Sequence, residues 1–340
     1  MNPKIQLAIR FACNLFCGGF LLVSISTPAQ DLFVTTGGVA GQTTGNVYEF
    51  NPGGVQSTFA SLLPIANGLA FDHAGNLFVA TGGFGGAIYE FTPGGAQSTF
   101  ATGLINPAGL AFDSKGDLFV GGGVPGDSIY EYTPGGQKST FATGLPYVRG
   151  LAFDGAGNVF VVSLTNSVGI VQTLPSGDIY EITPGGVKTT FATGLPAPAG
   201  LAFDSKGDLF VASDEANGLI YEYTPGGERS TFATGLAYPH GLAFDSAGDL
   251  FVASDRASGS IFEFTPDGAQ CTFATGLGFP TALAFRSATL PVPEPSAFVF
   301  VIASAVGLLG HATAKRWFCK LLHQDCRADA DGLTRRAQLG

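Results

Sequence analysis

The sequence predicts an all-β chain, a six-bladed β-propeller of four-stranded blades, on three observations. One phrase is copied along the chain: GLAFDSKGDLFV at residues 109–120 returns at 68–79, 150–161, 200–211 and 241–252, changed chiefly in its turn. The aliphatic residue that opens each Phe-Val pair (Leu32, Leu77, Leu118, Val159, Leu209, Leu250) recurs at spacings of 45, 41, 41, 50 and 41 residues. A period near 42 with Gly/Pro turns is the length of one blade. The alphabet is also narrow, with 50 Gly and 30 Phe among 340 residues against one Met and one Trp, as expected of a copied unit.

From the N-terminus, Lys4 and Arg10 precede an apolar run over 11–25 and then Ser26, Thr27, Pro28 and Ala29. A charged start, a short apolar stretch and a small-residue end make an export signal over 1–29, cut after Ala29 by signal peptidase. The propeller follows over 30–289. In the unit at 200–233, strands are expected at 200–204, 209–212, 219–224 and 229–233, where aromatic and β-branched residues alternate with small or polar ones. Asp204-Ser-Lys-Gly207 and Pro225-Gly-Gly227 supply the hairpin turns. The chain enters at Leu32 on a second strand and leaves at 282–286 on a first strand, so an innermost C-terminal strand is expected to complete the N-terminal blade and close the ring. Beyond it stand Val292, Pro293, Glu294 and Pro295, an apolar run over 297–314 long enough for a transmembrane helix, and Lys315-Arg316. Residues 317–340 read as a basic and polar tail, disordered.

Charge is divided along the chain. Residues 31–289 hold 8 Lys/Arg against 22 Asp/Glu, a net of −14, which sets nucleic acid aside as a partner. Only Cys271 of the five cysteines falls in this body, so no disulfide staples it. Cys271 stands where the other copies have Ser57, Ser98, Ser139, Thr189 and Ser230, and reads as a serine-sized strand residue.

The C-terminal order of Pro-Glu-Pro motif, helix and basic pair at 290–316 resembles the PEP-CTERM sorting signal. That resemblance implies an exosortase-type protease as partner, anchoring to the inner membrane by the helix before processing, and then a cell-surface or extracellular location. The blade text, GLAFDxxGxLFVA, resembles NHL-type and gluconolactonase-like six-bladed propellers over 31–286, and comes nearest at Val211-Ala-Ser-Asp214 and Val252-Ala-Ser-Asp255. Gluconolactonase-like propellers hold one divalent metal in the channel with a Glu, two Asn and an Asp. The first strands here read GLAFD almost without change and supply no such set, only Asn67 and His240 near the mouth, so neither metal nor other cofactor is expected.

Three sets of residues invite a site. The Asp72, Asp113, Asp154, Asp204 and Asp245 series offers too few oxygens for calcium and reads as turn caps. Glu49, Glu90, Glu131, Glu181, Glu222 and Glu263, one per blade and far from the axis, cannot converge; pairing with strand hydroxyls such as Thr99 or Thr231, or solvation at a blade edge, is expected. The copies disagree just before each first strand, at Asn67, Ala108, Arg149, Ala199, His240 and Thr281. With Tyr147, Tyr238, Asp214 and Asp255 nearby, Asn67, Arg149 and His240 make a candidate ligand-binding face at the channel mouth. The function expected is therefore an exported, non-enzymatic binding or scaffold module for envelope glycan or protein. A metal-dependent gluconolactonase-like hydrolase is the alternative.

Overall fold

The computed structural model describes residues 30–37, 44–122, 128–165, 176–254 and 259–286. The export signal with its cut at Ala29, the Val292, Pro293, Glu294 and Pro295 motif, the apolar helix and the tail lie outside the described residues. Twenty-four strands are described, in six antiparallel four-stranded sheets. One blade shows the pattern: Pro198–Phe203, Leu209–Ser213, Gly218–Tyr223 and Arg229–Leu236 pair in chain order from the axis outward. The ring closes as the strand count requires. Phe279–Phe285 pairs with Leu32–Gly37, Leu283 opposite Val34 and Phe285 opposite Leu32, as the innermost strand of the N-terminal blade.

Local chemistry builds each blade. Asp204 Oδ1 accepts the amide N–H of Lys206 at 2.8 Å and of Asp208 at 2.9 Å, fixing the first hairpin turn, and the other four aspartates of the series do the same. The third-strand glutamates meet the residue directly across the hairpin. Glu131 accepts from Ser139 Oγ and Glu222 from Ser230 Oγ, each at 3.1 Å, so register selects these serines rather than Thr99 or Thr231. Cys271 takes the serine's place, its Sγ 3.7 Å from Glu263.

Phenylalanine joins blade to blade. The Phe of each second strand stands edge-on between the Phe of the fourth strand of its own blade and the Phe of the first strand of the next. Phe160, for example, lies 5.1 Å from Phe191 and 5.0 Å from Phe203. All six blades repeat this triad. Edge-to-face pairs add about 0.5–1.5 kcal/mol each beyond burial, which explains the phenylalanine content.

Near the axis the first strands crowd one another. A Cβ on Gly68, Gly150, Gly200 or Gly241 would stand 1.8–2.8 Å from the carbonyl oxygen of Ala108, Ala199, His240 or Thr281 on the next blade. The glycine of the GLAF phrase is therefore a spacing requirement. At the seam, Ala282 takes its place, and the contact is made by hydroxyls: buried Thr35 and Thr281 meet at 3.0 Å, and the Oγ1 of each lies 3.0 Å from the Asn67 carbonyl oxygen. On the other side of the seam Arg286 binds Asp31 at 2.7 Å, pairs with Glu49 and lies over the Phe33 ring.

Candidate active site

The mouth of the channel opens into a cavity of about 520 Å³. Its rim is set by the short turn that leads into each first strand. Asn106, Tyr147, Ala197 and Tyr238, each two residues before a rim residue, have positive φ of 39–52°, a conformation non-glycine residues adopt at a cost. Register shifts follow in the first strands, between Ala66 and Leu69, Pro107 and Leu110, Val148 and Gly150, and Pro198 and Leu201. Such bulges re-aim the side chains beside them and recur next to active sites.

Asn67, Arg149, His240 and Tyr147 all line this cavity. Arg149 donates from Nη1 to Asp214 Oδ2 at 3.1 Å, with 28% of the arginine side chain exposed against 3% of the aspartate's. Asp214 is thus an anchor behind the rim: its carboxylate aims the guanidinium, and its amide donates to the Ala197 carbonyl. His240 lies 2.8 Å through Nδ1 from the Thr281 carbonyl oxygen. A carbonyl can only accept, so Nδ1 carries a proton, and in the neutral ring Nε2 holds the lone pair. Asn67 donates from Nδ2 to the Pro107 carbonyl at 3.1 Å.

Besides Asp214, one described member of the expected set is not in the lining. Tyr238 is not among the cavity-lining residues, although Tyr147, at the same place in its own blade, is. Asp255 lies outside the described residues. Sequence comparison passed over Asn106 and Phe279, which also line the cavity. Asn106 occupies the position of Tyr147 and Tyr238 in its copy, so comparing the copies at that position was the available signal.

Among the described residues Arg149 is the only one of the lining with a permanent charge, and the Asp214 carboxylate pairs with it from behind the rim. Among the described residues no three His, Cys, Asp or Glu side chains gather. A divalent ion would here find two amides and an imidazole, with a guanidinium beside them and no anionic ligand. The four-ligand metal set of gluconolactonase-like propellers does not fit this mouth.

No protein-family model matches the chain, and no curated protein sequence does. Solved structures do. A candidate gluconolactonase aligns with a TM-score of 0.55 at 15% identity over 73% of this chain and 89% of its own. A protein of unknown function from Bacteroides caccae aligns with a TM-score of 0.56 at 16% identity over 76% and 99%. A gluconolactonase from Xanthomonas campestris gives 0.54 at 18% over 64% and 78%. These likenesses establish the fold, a gluconolactonase-like six-bladed β-propeller.

They also correct the expectation of a non-enzymatic binding or scaffold module. That expectation rested on the absence of metal ligands from the first strands. Ester hydrolysis itself needs a polarised carbonyl and an activated water, and a guanidinium and a neutral imidazole on one rim are groups of that kind. Of the neighbours in the same fold, one is a candidate gluconolactonase and one a gluconolactonase.

Proposed function

We propose that the protein is a lactonase-like hydrolase that opens small cyclic esters in the channel mouth without a metal. The observation that carries this reading is one cavity holding a positioned guanidinium and an imidazole of fixed tautomer. Arg149, held by Asp214, donates to the lactone carbonyl and to the oxyanion that replaces it. His240 Nε2 takes a proton from water as its oxygen bonds to the carbonyl carbon, the Nδ1–H···O contact to Thr281 steadying the ring. When the tetrahedral centre collapses, the ring C–O bond breaks and the imidazolium returns the proton to the leaving alkoxide. The product is a hydroxy acid that gives up its carboxyl proton to solvent, leaving a carboxylate that faces Arg149.

We further propose that the enzyme acts outside the cytoplasm. The export signal, the Pro-Glu-Pro motif and the basic pair support secretion, transient anchoring in the inner membrane and release by an exosortase-type protease to the cell surface.

Proton release from D-glucono-δ-lactone and γ-butyrolactone, measured with the purified protein in excess EDTA, tests the catalytic reading. Hydrolysis is expected to persist, and His240→Gln to lower it by about 10²-fold or more. No hydrolysis of either lactone, or hydrolysis abolished by EDTA and restored by a divalent ion, would refute it.

A further inference from the structure

The seam where the two ends of the propeller meet carries a hydroxyl pair that no other blade repeats. Thr35 stands where the other second strands have Ala80, Gly121, Val162, Ala212 and Ala253, and Thr281 where the other rim positions have Asn67, Ala108, Arg149, Ala199 and His240. Both threonines are buried, which costs stability unless the hydroxyls find partners. They do. Beyond their mutual contact and their shared approach to the Asn67 carbonyl, Thr281 Oγ1 lies 3.1 Å from the Ala66 carbonyl oxygen and 3.3 Å from that of Thr35. Thr35 Oγ1 accepts the Ala282 amide N–H at 3.1 Å. Carbonyl oxygens only accept, so the two hydroxyl protons hold this cluster together.

The cluster fixes backbone on both sides of the seam. On one side it grips Ala66 and Asn67 of the next blade. On the other it sets the Thr281 carbonyl, whose oxygen lies 2.8 Å from His240 Nδ1 and 2.8 Å from where a Cβ on Gly241 would stand. The strand bearing His240 therefore has no room to follow that carbonyl if it shifts. An acceptor at Nδ1 decides which ring nitrogen carries the proton. With the carbonyl displaced, the Nε2–H form of the ring becomes as accessible as the Nδ1–H form, and it offers water no lone pair at Nε2.

We infer that Thr281 and Thr35 are positioning residues for the general base: their hydroxyls hold the Thr281 carbonyl in the place that keeps His240 protonated at Nδ1. The role of His240 as base rests on the hydrolase reading above, whereas the tautomer does not. Thr281 belongs to the C-terminal strand and Thr35 to the N-terminal one, so the base is set only when the ring has closed.

The test compares Thr281→Val, which keeps the shape and removes the hydroxyl, with Thr281→Ser, which keeps the hydroxyl. Thr81→Val is the control: Thr81 is also buried, and its Oγ1 bonds the Ala87 carbonyl at 3.1 Å within its own blade. Nitrogen-15 NMR of the imidazole rings in the intact protein, at a pH where they are neutral, reads the tautomer; the His240 signals are those missing from His240→Gln. Wild type should show the Nδ1–H form. T281V should show a mixture of forms, with kcat for γ-butyrolactone lowered about tenfold or more and KM within about twofold. T281S should match wild type in tautomer, and T81V should lose stability but keep both tautomer and kcat. Should T281V fail to fold, Thr35→Ala, the residue that three other blades carry there, is read in its place with the same expectations. A wild-type ring in the Nε2–H form overturns the inference, as does a folded T281V with the wild-type tautomer or the wild-type kcat. A tautomer that shifts in T281V while no protein of the series opens a lactone supports the positioning of the ring and removes the hydrolase.

Discussion

Replacing Arg149 by Met separates the structural work of the Arg149–Asp214 pair from its chemical work. Asp214 keeps only 3% of its side-chain surface, whereas Arg149 keeps 28%. Removing the arginine leaves a carboxylate buried without its cation, a loss of about 3–5 kcal/mol for a fully buried pair, and roughly 2–4 kcal/mol here because water already reaches the guanidinium. For a domain of this size each kcal/mol moves the melting temperature by about 2–4 °C, so R149M should melt roughly 4–16 °C below wild type. Asp214→Asn added to R149M removes the orphaned charge and should recover most of that loss. Lactone hydrolysis should not return, since no guanidinium then faces the carbonyl, and a deficit of about 10²-fold or more is expected. Circular-dichroism melts and proton-release rates on the four proteins of the cycle give both readouts. R149M melting with wild type would refute the structural job, and hydrolysis at the wild-type rate by the double variant would refute the chemical one.

Gly200→Ala would drive a methyl to within 2.2 Å of the His240 carbonyl, so a loss of about 1–3 kcal/mol in urea unfolding, with lowered activity, is expected. A chain ending at Pro280 loses Leu283 and Phe285, about 1.5–3 kcal/mol of burial apiece, and exposes the Leu32–Gly37 edge; light scattering should show aggregation, and an unchanged melt would count against closure by this strand. Burial raises the phenols of Tyr132 and Tyr223 above their ordinary value of 10. Both stay neutral in the folded state while the unfolded chain ionises, so stability present below pH 10 is lost as pH rises further, and Tyr132→Phe with Tyr223→Phe should shift the alkaline unfolding midpoint upward. In an exosortase-bearing host, Glu294→Ala should leave the full-length protein in the membrane on immunoblots, and processing identical to wild type would exclude the sorting signal.

Strands, turns and ring closure were legible because a blade is local: Asp204 caps a turn four residues long, and six copies of one text say where strands begin. The site was legible only as a set of positions. Nothing within one copy says that Asp214 reaches Arg149 across 65 residues, so an expected loop ligand turned out to be the buried counter-ion of another expected ligand. Tyr147 and Tyr238 share a sequence position and a left-handed backbone, yet one lines the cavity and the other does not. The six leucines of the GLAF phrase go where strand alternation puts them, with the phenylalanine two residues on, in the core between blades.

The scaffold is nearly sixfold, and its chemistry is not. Phenylalanine triads tie each blade to the next, and four of the GLAF glycines leave no room for a Cβ, so neither layer can vary without loss of packing. Variation is tolerated where side chains project over the channel, and there the chain sets large against small: Arg149 stands between Ala108 and Ala199, and His240 between Ala199 and Thr281. A long side chain can lean across a small neighbour, which keeps the mouth open while bringing groups two blades apart onto one cavity. Six equal long residues would fill the same opening and repel one another. The alternation of alanine with polar residues, rather than any single residue of the rim, is thus what turns a closed repeat into a pocket with one cationic side and one basic nitrogen.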